Sequence, residues 1–140
     1  MFEVIKYRWK LYELNKQYEN VTEKYKQLKK DVKGDEYAML HTEEGSEVVP
    51  LLEEMDALKT RRFCQIADNL MVPLPDSKDE SLWSDRYYGK GKNLTINGIW
   101  ELKKFIRQEK RERREGFMVW LAALTGIIGI ITGLVAVVLR

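Results

Sequence analysis

The chain has 140 residues, with 24 Lys and Arg against 22 Asp and Glu, and only one Cys and one His. A single Cys excludes an internal disulfide, which argues against a secreted disulfide scaffold and favours a reducing compartment. One Cys and one His are also too few for a zinc site. The sequence contains no phosphate-binding loop, dinucleotide fingerprint, zinc-peptidase motif or serine-hydrolase elbow. We therefore expect neither an enzyme nor a cofactor.

The first 33 residues carry an apolar heptad pattern. Its nine members, spaced alternately by three and four residues, are Val4, Tyr7, Leu11, Leu14, Tyr18, Val21, Tyr25, Leu28 and Val32. The spacing predicts an N-terminal helix over residues 1–33, ending at Gly34, with a coiled-coil seam along one face. The alternative is that this seam packs on the second helix of its own chain.

Two further interpretations concern the first residues. Apolar and basic residues alternate over residues 2–12, which suits a strand, but we prefer a helix because the heptad continues beyond them. Tyr7, Trp9 and Tyr12 lie among Lys and Arg, a mixture also found on nucleic-acid surfaces. We expect no nucleic-acid binding, since the seam accounts for Tyr7 and a partly buried amphipathic face accounts for Trp9 and Tyr12.

Charge is unevenly distributed along the chain. Residues 1–34 have nine basic and five acidic side chains, residues 35–101 have seven and fourteen, and residues 102–140 have eight and three. Within the middle block, residues 35–56 contain eight acidic residues and no Lys or Arg. The pattern indicates a solvated acidic surface or, alternatively, a clasp between this segment and a basic end of the same chain or of a second copy.

The middle of the chain divides into a loop, a helix and a connector. Residues 34–45, with a glycine at each end, predict an acidic loop. Ser46 as an N-cap and Pro50 in the first turn then predict a second helix over 46–71. Residues 72–94 form a polar connector in which a small hairpin is compatible with the glycines at 89 and 91.

Three aromatic residues stand out in the connector: Trp83, Tyr87 and Tyr88. In so polar a segment we expect them to pack on the helices. The alternative is that they contact a protein partner, because exposed aromatic clusters dominate many interfaces.

The last part of the chain predicts a helix that enters a membrane. Thr95 is a suitable N-cap, and residues 95–116 are first amphipathic and then basic. Residues 117–139 contain no charge over 23 positions. A helix of that length spans about 34 Å, enough to cross a hydrocarbon core of about 30 Å.

Basic residues on one side of this span predict its orientation. Those that precede it are Lys103, Lys104, Arg107, Lys110, Arg111, Arg113 and Arg114, and only Arg140 follows it. Basic flanks stay on the cytoplasmic side. We therefore expect a tail-anchored, single-pass protein with a cytoplasmic N-terminus and its C-terminus outside.

Small residues form a stripe along the predicted span. Its members are Ala122, Gly126, Gly129, Gly133 and Ala136, flanked by Thr125 and Thr132. Small residues let two helices approach closely in lipid, and the threonines are placed to hydrogen-bond across such an interface. The stripe predicts helix association and hence a homo-oligomer.

The C-terminal third also carries short motifs. They are Leu94-Thr95-x-x-Gly98-Ile99-x-x-Leu102, Ile106-Arg107-x-Glu109-Lys110 and Ala123-Leu124-Thr125-Gly126-Ile127-Ile128-Gly129. Over about the last 50 residues the chain resembles a group of small bacterial single-span membrane proteins, known mostly as hypothetical proteins. The resemblance implies a bacterial inner membrane and no particular function.

These observations favour an all-α protein in which a small cytoplasmic helical domain, coiled-coil-like in pattern, continues through a long C-terminal helix into a single transmembrane span. We expect the domain to self-associate and to recruit or regulate a cytoplasmic protein partner at the membrane. The alternative is an oligomerising, membrane-disrupting effector of the toxin or phage-defence type, which depolarises the membrane when triggered. No feature of the sequence identifies a small-molecule substrate.

Overall fold

A computed structural model describes residues 2–138, with only the backbone described at 133 and 136–138. The chain forms three helices and one short antiparallel hairpin. These are α1 (Phe2–Leu28), α2 (Asp35–Asn69), β1 (Trp83–Asp85), β2 (Lys92–Leu94) and α3 (Ile96–Val138). The predicted all-helical class with one long apolar C-terminal helix is confirmed.

Residues 2–12 are helical, so the strand interpretation is wrong. α1 nevertheless ends at Leu28 rather than at residue 33. Its last turn closes when the amide of Lys29 donates to the carbonyl of Tyr25. The backbone then turns through Gly34, whose φ of 70° is a conformation that favours glycine. Val32 therefore lies in the connection, outside the helical part of the seam.

The predicted acidic loop over 34–45 is wrong, because α2 begins at Asp35 and includes all but the first of these residues. Acidic residues at 35 and 36 occupy the first turn, where the helix dipole favours negative charge. Ser46 is not an N-cap, since its hydroxyl donates to the carbonyl of Glu43 inside the helix. Pro50 also lies inside α2, where it costs one backbone hydrogen bond.

α1 and α2 pack against each other as an antiparallel pair. Leu14 and Tyr25 of the seam are buried, as is Met55 of α2. Most other members of the seam are half-buried, and Leu28 is exposed. Near the opposite end of α1, the ring of Tyr7 lies 5.9 Å from the guanidinium of Arg62. The described seam therefore packs on the second helix of its own chain.

Ion pairs connect the acidic segment of α2 to the basic N-terminal part of the chain. Lysines at positions 10, 24 and 29 of the basic α1 region face three of the eight acidic residues, Glu54, Glu47 and Glu44 respectively. The acidic segment and the basic N-terminal end thus form an intramolecular clasp. The pair between Lys29 and Glu44 is largely buried. The other two are exposed and add little stability, so the apolar seam provides most of the packing energy.

A second core lies where α2 ends and α3 begins, and the hairpin completes it. The buried members are Ala67, Val72, Leu94, Leu102 and Ile106. The strands pair with Trp83 opposite Leu94, so the predicted hairpin is confirmed. The amide of Leu94 donates to the buried hydroxyl of Thr60 at 2.9 Å, which attaches the hairpin to α2. The hairpin therefore connects α2 to α3.

α3 begins at a tight contact with the segment that leads into β1. Thr95 caps the helix, because its hydroxyl accepts a hydrogen bond from the amide of Gly98 at 3.1 Å. The same hydroxyl donates to the carbonyl of Ser81 at 2.7 Å. A Cβ added at Gly98 would lie 2.2 Å from the carbonyl oxygen of Leu82, so only glycine fits there.

Gly98→Ala should therefore lower the free energy of unfolding by roughly 1–3 kcal/mol, the usual cost of overpacking. Gly116→Ala is the matched control, since Gly116 lies in the same helix with open space around its Cα. There alanine should raise helix stability by up to about 1 kcal/mol. Denaturation of the full chain in detergent, followed by tryptophan fluorescence, measures both. Equal effects would contradict the tight contact.

Candidate functional site

The apolar part of α3 is the most prominent surface of the molecule. The segment Ile96–Thr132 is long and apolar enough to cross a membrane by length and composition. Every residue from 110 to 132 is exposed, unlike those of a core helix in a soluble protein. Leu139, the last residue of the predicted span, lies outside the described part of the chain. This exposed apolar segment is a candidate membrane span.

The small-residue stripe is open on the described part of α3. Nothing lies within 4 Å of a Cβ added at Gly126 or Gly129. The flanking hydroxyls of Thr125 and Thr132 donate to the carbonyls of Leu121 and Ile128 in their own helix. Both threonines are thus satisfied without a second helix. For Gly133 and Ala136 only the backbone is described, and helix association stays a prediction.

The seven basic residues before the span have different environments. Lys103 is half-buried, with its ammonium 5.0 Å from the centre of the Phe63 ring. Arg107 and Arg111 bond within α3, and the bond to Glu115 raises the pKa of Arg111. Arg113 bonds to Glu109 and also reaches α2. Lys104, Lys110 and Arg114 are exposed, free to meet anionic headgroups.

The three aromatic residues of the connector fall into two groups. Trp83 packs against the second core, and its indole nitrogen donates to the carbonyl of Pro75 at 3.2 Å. Tyr87 and Tyr88 remain exposed beyond the hairpin strands, with ring centres 5.0 Å apart in an edge-to-face arrangement. The amide of Tyr88 donates to Glu53 of α2 at 2.7 Å. Packing therefore accounts for Trp83, while a partner contact at the two tyrosines stays a prediction.

Sequence reasoning missed one surface. A second apolar stripe runs along α1, and all its members are exposed: Phe2, Ile5, Trp9 and Tyr12. We call it the outer face of α1. The expectation that Trp9 and Tyr12 are partly buried is wrong, since they are 69% and 65% exposed. The spacing of these four residues, 3, 4 and 3, is a helical signal in the sequence. The longer seam on the adjacent face already predicts the helix, so the second stripe adds nothing to that prediction.

Titratable groups do not assemble into a reaction centre among the described residues. In the part of the chain that the structure describes, no three His, Cys, Asp or Glu side chains lie close enough together to bind a metal ion. Partial burial raises the pKa of the Cys64 thiol, which makes it a poor nucleophile at neutral pH.

One polar cluster near the α1–α2 connection links stability to pH. Glu47 accepts hydrogen bonds from the hydroxyl of Tyr25 at 2.7 Å and from the ammonium of Lys24 at 3.2 Å. These bonds lower the pKa of Glu47 and raise the pKa values of both partners. The Glu47 carboxylate thus has a lower pKa in the folded protein than in the unfolded chain. Its contribution to stability is fully present above the unfolded-state pKa and is lost as pH falls through the folded-state pKa.

Glu47→Gln should therefore lower stability at pH 7 and reduce its decline between about pH 5 and pH 3, where an ordinary glutamate protonates. Thermal unfolding of the full chain in detergent, repeated across this pH range, measures the effect. Glu19→Gln serves as the control, since Glu19 is exposed on α1. If stability declined equally steeply at acid pH in the Glu47 variant and the wild type, Glu47 would not be the group responsible.

No protein-family model, no curated protein sequence and no solved structure matches the chain significantly. Function must therefore be inferred from the exposed helix, the outer face of α1 and the two hairpin tyrosines. The resemblance of the last 50 residues to small bacterial membrane proteins stays a prediction.

Proposed function

We propose that this chain is a single-pass membrane protein whose helical domain self-associates and recruits or regulates a protein partner at the membrane. The observation that carries the proposal is the continuity of α3. Leu102 and Ile106 of this helix are buried in the second core, and the exposed apolar segment follows without a break. A partner bound to the domain would be kept at the bilayer by a rigid connection.

The distribution of basic residues supports an orientation of the protein in the membrane. The basic residues of α3 all precede the apolar segment, which supports a domain on the cytoplasmic side. The resemblance of the C-terminal third supports a bacterial inner membrane. The exposed cation of Arg114 would lie at the headgroups of that membrane, and that of Lys110 about 10 Å from the apolar segment.

Two surfaces are available for the partner. The outer face of α1 combines four apolar side chains with Lys6 and Arg8, which are also exposed. Aromatic side chains flanked by cations are typical of interface hot spots. Tyr87 and Tyr88 form a smaller second surface. The packing of the seam on α2 means that partner or copy binding would use these faces rather than the seam.

Self-association is best supported in the span. Gly126 and Gly129 present a flat strip on which a second α3 can approach closely. The alternative of a membrane-disrupting effector needs polar groups that face a pore. The hydroxyls of Thr125 and Thr132 are bonded within their own helix, so they give that alternative no particular support.

The double variant Gly126→Ile and Gly129→Ile should reduce the dimer fraction several-fold in cross-linked membranes, because bulky side chains keep the backbones apart. Ile128→Phe with Ile131→Phe adds bulk on the opposite side of the helix and should leave the dimer intact. Membrane potential is recorded in the same cells. If the glycine changes left the dimer fraction unaltered, the small-residue stripe would not be the interface. If the wild type depolarised the membrane and the glycine variant did not, the effector alternative would be favoured.

The partner surface is tested with a photo-cross-linking amino acid placed in the full chain in living cells. Incorporated at Trp9 or Tyr12, it should give one protein adduct of defined mass. Gln17 is the control position, because it is exposed on a different face of the same helix. The same adducts at all three positions would indicate random collision and would contradict a specific role for the outer face of α1.

A further inference from the structure

The C-terminal end of α2 is attached to the base of the membrane helix. The guanidinium of Arg113 donates from Nη2 to the carbonyl oxygen of Leu70 at 2.7 Å, across 43 positions of sequence. A second nitrogen, Nε, donates to Glu109 at 2.6 Å and orients the side chain. A cation at this end of a helix also interacts favourably with the helix dipole. Leu70 is therefore fixed between the levels of Glu109 and Arg113 on α3.

That level is close to the membrane. Arg113 precedes the first residue of the apolar segment, Phe117, by four positions, or about 6 Å along the helix axis. The headgroup layer on each side of a bilayer is about 5–8 Å thick. Glu109 lies about 6 Å farther from the apolar segment than Arg113 does. If the apolar segment crosses the membrane as proposed, Leu70 lies at the outer edge of the headgroup layer.

The residue that follows displays an apolar side chain at this level. Met71 is 89% exposed, the largest value among the exposed large hydrophobic residues described. Its φ of 58° is positive, which is unusual for a residue other than glycine. The amides of Met71 and Val72 donate to the carbonyls of Asp68 and Ala67, so the turn is well defined. A rigid turn thus presents the thioether chain outward.

Other apolar groups lie at the same end of the domain. Leu74, just beyond the turn, is 48% exposed. Phe2 is exposed as well, and it lies five residues nearer this end than Tyr7, which is level with Arg62. On α3, the side chains that line the same hollow as Met71 are Phe105, Gln108, Glu109 and Glu112. Apolar side chains that project from a rigid turn suit the boundary between headgroups and acyl chains.

We propose that the turn at Met71 and Leu74 inserts into the membrane interface beside α3, as a second membrane contact held in place by Arg113. The inference rests on the proposed transmembrane span. Two contacts fix the tilt and rotation of the domain on the bilayer, which one helix alone would leave free. The outer face of α1 and the hairpin tyrosines would then keep a constant direction relative to the membrane.

The test measures the depth of single labels in the full chain. Cys64→Ala removes the only cysteine, and new cysteines are introduced as Met71→Cys, Ile127→Cys or Tyr87→Cys, then labelled with an environment-sensitive fluorophore. Liposomes of phosphatidylcholine and phosphatidylglycerol carry nitroxides at a shallow or a deep acyl position. Tyr87 is the matched aqueous control, because its neighbour Tyr88 contacts Glu53, about 25 Å from Leu70 along α2.

We expect shallow nitroxides to quench the label at 71 at least three-fold more than the label at 87, and deep nitroxides to quench the label at 127. Quenching at 127 with equal, weak quenching at 71 and 87 would overturn the second contact while leaving the span intact. Absence of quenching at 127 would overturn the span and with it both proposals.

A second variant tests the part played by Arg113. Arg113→Gln should reduce shallow quenching at 71, because the carbonyl of Leu70 loses its partner on α3. Arg111→Gln is the control, since Arg111 bonds only within α3. Far-ultraviolet circular dichroism checks that both variants are folded. Unchanged quenching in the folded Arg113 variant would overturn its holding role.

Discussion

The unbroken course of α3 is the constraint on which the rest of the structure depends. The helix has 43 residues and is about 65 Å long. Its first third supplies Leu102 and Ile106 to the core, and its remainder has no cover from the described chain. Because a helix is stiff over this length, whatever fixes its apolar part also fixes the domain. α2 and the hairpin can only attach at one end of it.

The two halves of the domain are stabilised differently. Where α2 meets α3, the second core buries apolar side chains from α2, β2 and α3 around Leu102, and Gly98 allows the close approach of the Leu82 carbonyl. The α1–α2 pair buries fewer side chains completely, chiefly Leu14, Tyr25 and Met55. It adds ion pairs along its edge, which salt screens. The α1–α2 end is therefore the half whose stability responds more to salt and acid.

Uncovered apolar surface is the common feature of three parts of the described chain. They are the apolar part of α3, the outer face of α1, and the hairpin tyrosines. Large exposed apolar patches often mark interaction sites. Arg113 ties the turn before Met71 to α3 through the carbonyl of Leu70.

Local signals in the sequence determined the helices, the N-cap at Thr95, the hairpin and the apolar span, since each depends on spacing or on neighbouring residues alone. Tertiary structure decided the rest. Residues 35–45 resemble a loop by composition, yet they are helical, and Glu44 among them pairs with Lys29 just after α1. The seam around Leu14 predicted a helix equally well for a coiled coil or an internal partner, because a heptad specifies a face and not what covers it. The contact between Arg113 and Leu70 joins residues 43 positions apart, and only the packing of α2 along α3 brings them together.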